Sequence, residues 1–316
     1  MTNPTSSLPT HVTIREVGLR DGLQILQRVV PTAQKLHWIR GAYEAGQREI
    51  EVGSFVPAHL LPQLADTEAL VAFAKTLPGL KASVLVPNLK GAQRALACEA
   101  DAMLVPLSAS YAHSLANLRK TPDEAVAMIK AIVAERDASG SATEVEIGLS
   151  TAFGCTLQGK VETAEVLRLV QAALDAGVDH IGLADTVGYA DPLAVRNLFS
   201  RVQEVAGDKL NCGHFHDTRG LGLANVYSAM QLGINKFDAC LAGIGGCPHA
   251  PGASGNVSTE DLVHMLLSMG IPTGVSFDKI IALRAQVATW LEGENLYGTL
   301  WRSGLPKTLQ AVEAKL

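Results

Sequence analysis

The sequence predicts a (β/α)8 TIM barrel with extra C-terminal helices, and three observations carry the prediction. Short apolar or β-branched runs alternate with helical patterns along most of the chain, which is the signature of α/β architecture. Counted with the first strand, there are eight such βα units in about 260 residues, the size of one barrel. No domain break divides the 316 residues, so the doubly wound sheet, which shares the alternation, fits less well.

The elements follow in order. After a polar start with Pro4 and Pro9, residues 12–17 alternate as a strand. Residues 32–46 have helical spacing and end on Gly46, as helix C-termini often do. Further strand-like runs fall at 49–52, 81–85, 102–106, 144–149, 180–184, 210–216 and 236–241. Helical patterns occupy 68–76, 122–139, 161–177, 192–206, 223–233 and 259–270, with Gly177 ending one of them. The barrel domain is set at 12–275. Residues 276–316 form a helical extension expected to pack on it, with helices at 279–291 and 296–309 and Trp290 and Trp301 as anchors.

Bulk properties exclude some classes. A formal net charge of -5 leaves no basic footprint, so no nucleic-acid partner is expected, although a local cluster can still bind an anionic small molecule. Five cysteines (Cys98, Cys155, Cys212, Cys240 and Cys247) without CxxC spacing suit a reduced protein better than a disulfide scaffold. The first ten residues lack the features of a signal or transit peptide. No apolar run approaches the ~20 residues of a membrane span. No membrane partner is expected, and the expected setting is cytoplasmic.

In a barrel the active site lies at the carboxyl ends of the strands. Polar residues stand near every such end: Arg20 and Asp21, Glu51 and Ser54, Asn88, Ser108 and Ser110, Thr151, Asp185 and Thr186, then His214, His216 and Asp217. The eighth strand runs into a glycine-rich segment that carries Cys247 and closes on Asn256. His214 and His216, two apart on a strand, face one way and can aim at one cation, although such pairs also occur as ordinary core residues. Asp21 and Asn256 add oxygen donors, and a mixed nitrogen and oxygen set without thiolates fits Mg2+ or Mn2+ better than structural zinc. Asp217 falls on the other strand face, where a helix cap or an outer partner is expected.

Arg20 can hold a carboxylate, stabilise an enolate or simply bridge charges across the barrel mouth. Glu51 projects from a buried strand and needs a partner, either Arg20 or a metal-site histidine. The remaining histidines (His11, His37, His59, His113, His180, His249 and His264) are expected to be structural or at the surface.

Residues 17–24 (Val-Gly-Leu-Arg-Asp-Gly-Leu-Gln), 51–56 (Glu-Val-Gly-Ser-Phe-Val), 214–218 (His-Phe-His-Asp-Thr) and the stretch from Gly245–Gly246–Cys247–Pro248 to Gly255–Asn256 resemble 3-hydroxy-3-methylglutaryl-CoA lyase. The likeness covers about residues 12–275; Arg-Asp-Gly with His-x-His marks the wider metal-dependent barrel superfamily, and the Gly-Gly-Cys-Pro loop the lyase branch. The resemblance implies a retro-Claisen cleavage of a 3-hydroxyacyl-CoA thioester to acetyl-CoA and a keto acid, acetoacetate. It implies a divalent cation on Asp21, His214, His216 and Asn256, and Asp21 or His214 as base. Arg20 would face the enolate, and Cys247 would be the general acid.

A homo-oligomer, dimer or tetramer, is expected with it. A Claisen-type synthase of acetyl-CoA and a 2-keto acid is the alternative. Ile25–Leu26–Gln27, Tyr111 and Arg219 depart from the family pattern around the substrate. They raise a related thioester, such as a citramalyl-CoA, as a substrate.

Overall fold

Eight parallel strands close on one another in sequence order. They are β1 (Thr13–Glu16), β2 (Glu49–Ser54), β3 (Lys81–Leu85), β4 (Ala102–Ser108), β5 (Glu144–Ser150), β6 (His180–Asp185), β7 (Leu210–Phe215) and β8 (Lys236–Ala239). The architecture comes from a computed structural model that describes residues 8–246 and 255–309. The seam is the β1–β8 pairing, in register from Thr13 opposite Lys236 to Glu16 opposite Ala239.

The surrounding helices are α1 (Thr32–Glu44), α2 (Thr67–Ala74), α3 (Leu89–Ala97), α4 (Tyr111–Leu118), α5 (Pro122–Ser139), α6 (Thr163–Asp175), α7 (Pro192–Ala206), α8 (Gly222–Met230) and α9 (Thr259–Ser268). Local chemistry sets their ends. A capping box joins Thr121 and Glu124, Pro122 begins α5, and Gly140 at φ +67 ends it. Gly46 lies at φ +106, and a Cβ there would meet the Gly274 carbonyl oxygen at 1.9 Å, so no other residue fits that helix end.

The β4–β5 pairing persists to Ser108 opposite Ser150, so both strands run past the ends expected from pattern. After β8, α10 (Phe277–Trp290) packs against α1 and α9. Within the expected 296–309 helix the chain forms the short α11 (Leu300–Ser303), with Gly298 and Gly304 at φ +85 and +64 on either side, and is helical again at 307–309. Trp301 is 42% exposed and stacks under the Arg284 and Arg302 guanidiniums, not into the core. Among the described residues no helix is long and apolar enough to cross a membrane.

On β5, Val145, Ile147 and Leu149 join the apolar core, while the alternate residues Glu146, Gly148 and Ser150 border the cavity inside the barrel. The lower interior is filled by paired charges. Arg15 donates to Asp238 Oδ1 through Nε and to Glu146 Oε2 through Nη1, both at 2.7 Å. Lys236 Nζ reaches Glu146 at 3.1 Å and Glu49 at 2.7 Å. Each buried charge therefore has a counter-charge, as burial demands.

Glu16 is a buried carboxyl of a different kind. Burial pushes it up to about 7, against the hydrogen bonds it accepts from Leu241 N, Thr259 Oγ1 and Gly18 N, and Glu260 nearby adds to the rise. A carboxyl raised in the folded state binds more protons folded than unfolded. Its stabilising contribution is full below pH ~4.5 and is lost as pH climbs through about 7. The loss amounts to about 3 kcal/mol at one pKa unit per 1.36 kcal/mol. Urea titrations from pH 4.5 to 8 should show Glu16→Gln lacking that part of the slope; parallel curves for variant and wild type would exclude it.

Candidate active site

Beyond β1 the chain makes one tight π-type turn, Gly18–Gly22, in which the Asp21 and Gly22 amides both bond to the Val17 carbonyl. Gly18 is required by space, since a Cβ there would lie 2.5 Å from Glu16 Oε1 and 2.6 Å from the Trp38 ring. The turn carries Arg20 and Asp21, both buried, to the wall of the cavity. Arg20 Nη1 donates to Asp21 Oδ1 at 2.7 Å, and its Nε lies 2.7 Å from Glu51 Oε2 on β2. Glu51 thus has the cationic partner its burial calls for. Gln24 Nε2 donates to the same Asp21 Oδ1 at 2.7 Å.

His214 near the end of β7 and His216 just beyond it bring their Nε2 atoms to 3.1 Å of each other. His214 Nδ1 lies 3.0 Å from Asp238 Oδ2 on β8. With Nδ1 donating to that carboxylate, the neutral ring presents a lone pair on Nε2 towards His216. Residues 255–257 run back alongside β7's continuation, with His216 bridged to Asn256, so Asn256 enters the same corner. Its Nδ2 donates to Asp21 Oδ2 at 2.5 Å. Its Oδ1 is buried and has no hydrogen-bond partner among the described residues.

Asp21, His214 and His216 each offer one ligand atom, and these atoms lie within 4.8 Å of one another. This is what a cation site needs: facing imidazole nitrogens, a carboxylate and an orphaned amide oxygen. The electrostatics agree. Burial opposes ionisation of Asp21, but Arg20 and the two imidazoles hold its carboxyl below its ordinary range. Burial alone would lower His214, yet Asp238 and Asp21 raise it. Asp238 is held low despite its burial, by Arg15 first and His214 second.

The corner opens on a cavity of about 420 Å3 that fills the upper barrel. Arg20, Asp21, His214 and His216 line it, and so does Gly246; Cys247 itself lies outside the described residues. Several strand-end polar groups serve the backbone instead. Asn88 caps α3, Ser110 caps α4, and the Asp185 carboxylate accepts the Tyr189 and Ala190 amides. Asp217, read as a cap, does accept the Gly222 amide at the start of α8.

One expectation is corrected. Tyr111 and Arg219 do not border the cavity: Tyr111 is exposed at the start of α4, and Arg219 donates to the Val187 and Gly188 carbonyls while stacking on Tyr189. His113, expected to be structural or at the surface, is a buried residue of the cavity wall, with Nδ1 2.5 Å from Ser108 Oγ. Asp238 was missed. Its only sequence signal is a carboxylate inside a strand-like run; its register with His214 exists only in the fold.

The HMGL-like family profile matches residues 11–287. A hydroxymethylglutaryl-CoA lyase of Bacillus subtilis is 37% identical over 284 residues, covering 90% of this chain and 93% of the relative. The mitochondrial hydroxymethylglutaryl-CoA lyase of Homo sapiens is 36% identical over 280 residues, covering 89% and 86%. Among solved structures, an HMG-CoA lyase from Acinetobacter baumannii, in complex with coenzyme A and 3-methylmalate, superposes with a TM-score of 0.88 at 39% identity, covering 97% and 98%. With that match spanning the barrel and the carboxylate–imidazole corner, the chain belongs to the HMGL-like family.

Proposed function

We propose that the protein is a metal-dependent carbon–carbon lyase that cleaves a 3-hydroxy-3-methylglutaryl-CoA-like thioester to acetyl-CoA and a 3-oxo acid, acetoacetate for the methyl compound. The observation that carries the reading is the corner of Asp21, His214 and His216 beside Arg20, in a chain whose relatives are hydroxymethylglutaryl-CoA lyases.

Asp21, His214, His216 and Asn256 would hold the ion, Mg2+ or Mn2+. Such an ion, when bound, lowers the pKa of an oxygen ligand and offsets its negative charge. Asp21 is suited to taking the substrate's tertiary hydroxyl proton, because one carboxylate oxygen can stay on the ion while the other accepts it; His214 is the second candidate, and only with its Nε2 off the ion, since its Nδ1 donates to Asp238. As the hydroxyl oxygen becomes a ketone, the bond between C2 and C3 breaks and its electron pair passes to the thioester enolate. Arg20, fixed by Glu51 and Asp21, would stabilise that enolate. Cys247 would return a proton to the carbon, completing acetyl-CoA.

The test is a product assay over a panel of 3-hydroxyacyl-CoA thioesters with Mg2+ or Mn2+ present, run in both directions. Acetyl-CoA release from hydroxymethylglutaryl-CoA is expected. Turnover only in the condensing direction would favour a synthase, and no cleavage of any thioester would overturn the reading. For the ligand set, His216→Ala should weaken Mn2+ binding by about 100-fold, the upper end for losing even an outer partner of a metal ligand. An unchanged Mn2+ titration would remove His216 from the set.

A further inference from the structure

Barrel interiors are normally packed by layers of branched side chains. Here the inward positions of β5 and β6 beside the metal corner are Gly148, Gly182 and Ala184. The register steps outward from the reacting centre: Ala184 pairs with His214, Gly182 lies one inward position below it, and Gly148 on the next strand pairs with Gly182. The two glycines differ. A Cβ on Gly182 would stand 3.3 Å from Cys212 Cβ, so that residue is small for packing. A Cβ on Gly148 would meet nothing within 4 Å, and its backbone conformation is one that any residue adopts. Neither strain nor crowding accounts for the missing side chain. What it leaves is a hollow in the same cavity that His214 lines, across β6 from it, bordered also by the Arg15–Glu146 pair and by Leu104 and Pro106 on β4.

Resting on the lyase reading above, we infer that this hollow receives the C3 substituent of the substrate, and that the preferred thioester carries there an apolar group larger than methyl. With the C3 hydroxyl at the Asp21–His214–His216 corner, the cavity wall that a C3 substituent can turn towards includes Ala184 and Gly182 on β6 and Gly148 on β5. The floor argues against a charged group. Arg15 is taken by Glu146 and Asp238, and Lys236 by Glu146 and Glu49, so no counter-charge is left for an incoming ion. An apolar group gains about 25 cal/mol for each Å2 it removes from water. Cleavage of such a substrate releases acetyl-CoA and a 3-oxo acid bearing the larger group, with the same bond broken and the same two proton transfers.

The experiment compares kcat/KM for hydroxymethylglutaryl-CoA and for its homologue with isobutyl in place of methyl at C3. Wild-type enzyme should use the homologue at least as well. Gly148→Leu, which fills the hollow, should shift the ratio of the two values towards the methyl substrate by about 10- to 200-fold, the range for a changed apolar pocket. Gly148→Ala, the milder variant, should shift it part of the way. A tenfold wild-type preference for methyl, or a ratio unmoved by both variants, would overturn the inference while leaving the lyase reading intact. Cleavage of neither compound, nor of any thioester in the wider panel, would overturn both.

Discussion

Replacing Cys247 with alanine is expected to lower thioester cleavage by about two to four orders of magnitude, the range for losing a general acid. The cleaved bond leaves a carbanion equivalent that must be protonated on carbon before acetyl-CoA departs. A thiol with an ordinary pKa near 8.5 is mostly protonated at neutral pH and can donate. Gly246, the preceding residue, borders the cavity. The rival thiol on the cavity wall is poorly placed to donate. Cys212 lies on the floor, with Arg15 Nη2 3.7 Å from its Sγ, and burial raises its pKa well above the usual thiol value. Steady-state cleavage assays decide the matter. Retention of most activity by Cys247→Ala would remove the residue from the mechanism.

Arg20→Met should lower kcat by about 10²- to 10³-fold, the cost of losing one donor to a developing oxyanion. The change also leaves Glu51, fully buried, without its cation, and an unpaired buried charge costs about 3–5 kcal/mol of stability. The double variant Arg20→Met with Glu51→Gln separates the two effects, because it removes the stranded charge while still lacking the donor. Its melting temperature should recover and its kcat should not. If kcat recovers along with stability, Arg20 acts only through the fold.

Most of the barrel is legible in the sequence because each strand keeps its outward apolar face and each helix its stop signal. Gly46 and Gly177, both at positive φ, end helices where the pattern ends. The helices α3 and α4 escape that reading, since their starts depend on single caps, Asn88 and Ser110, that look like site residues at a strand end. Arg20, Asp21, His214 and His216 are legible because they follow strands and the barrel must bring strand ends together. Asp238, Arg15 and Glu146 are not, because their value lies in a register between β1, β5 and β8 that no local pattern encodes. The shape of the cavity is legible only in space. Tyr111 and Arg219 look like its borders, whereas the opening comes from Gly148, which in sequence is one glycine among 29.

The ladder of charges inside the barrel bears on how the protein comes to be active. Its bonds join residues 131 and 223 positions apart, Arg15 to Glu146 and Arg15 to Asp238, and the second crosses the seam where the last strand meets the first. Contacts of such sequence separation form late, after the chain has met the entropy of closing its longest loops. The orientation of His214 depends on Asp238, so a folding intermediate still open at the seam would lack the oriented imidazole. Cation binding would then follow closure, and the appearance of the metal signal during refolding would time the moment the ring is complete.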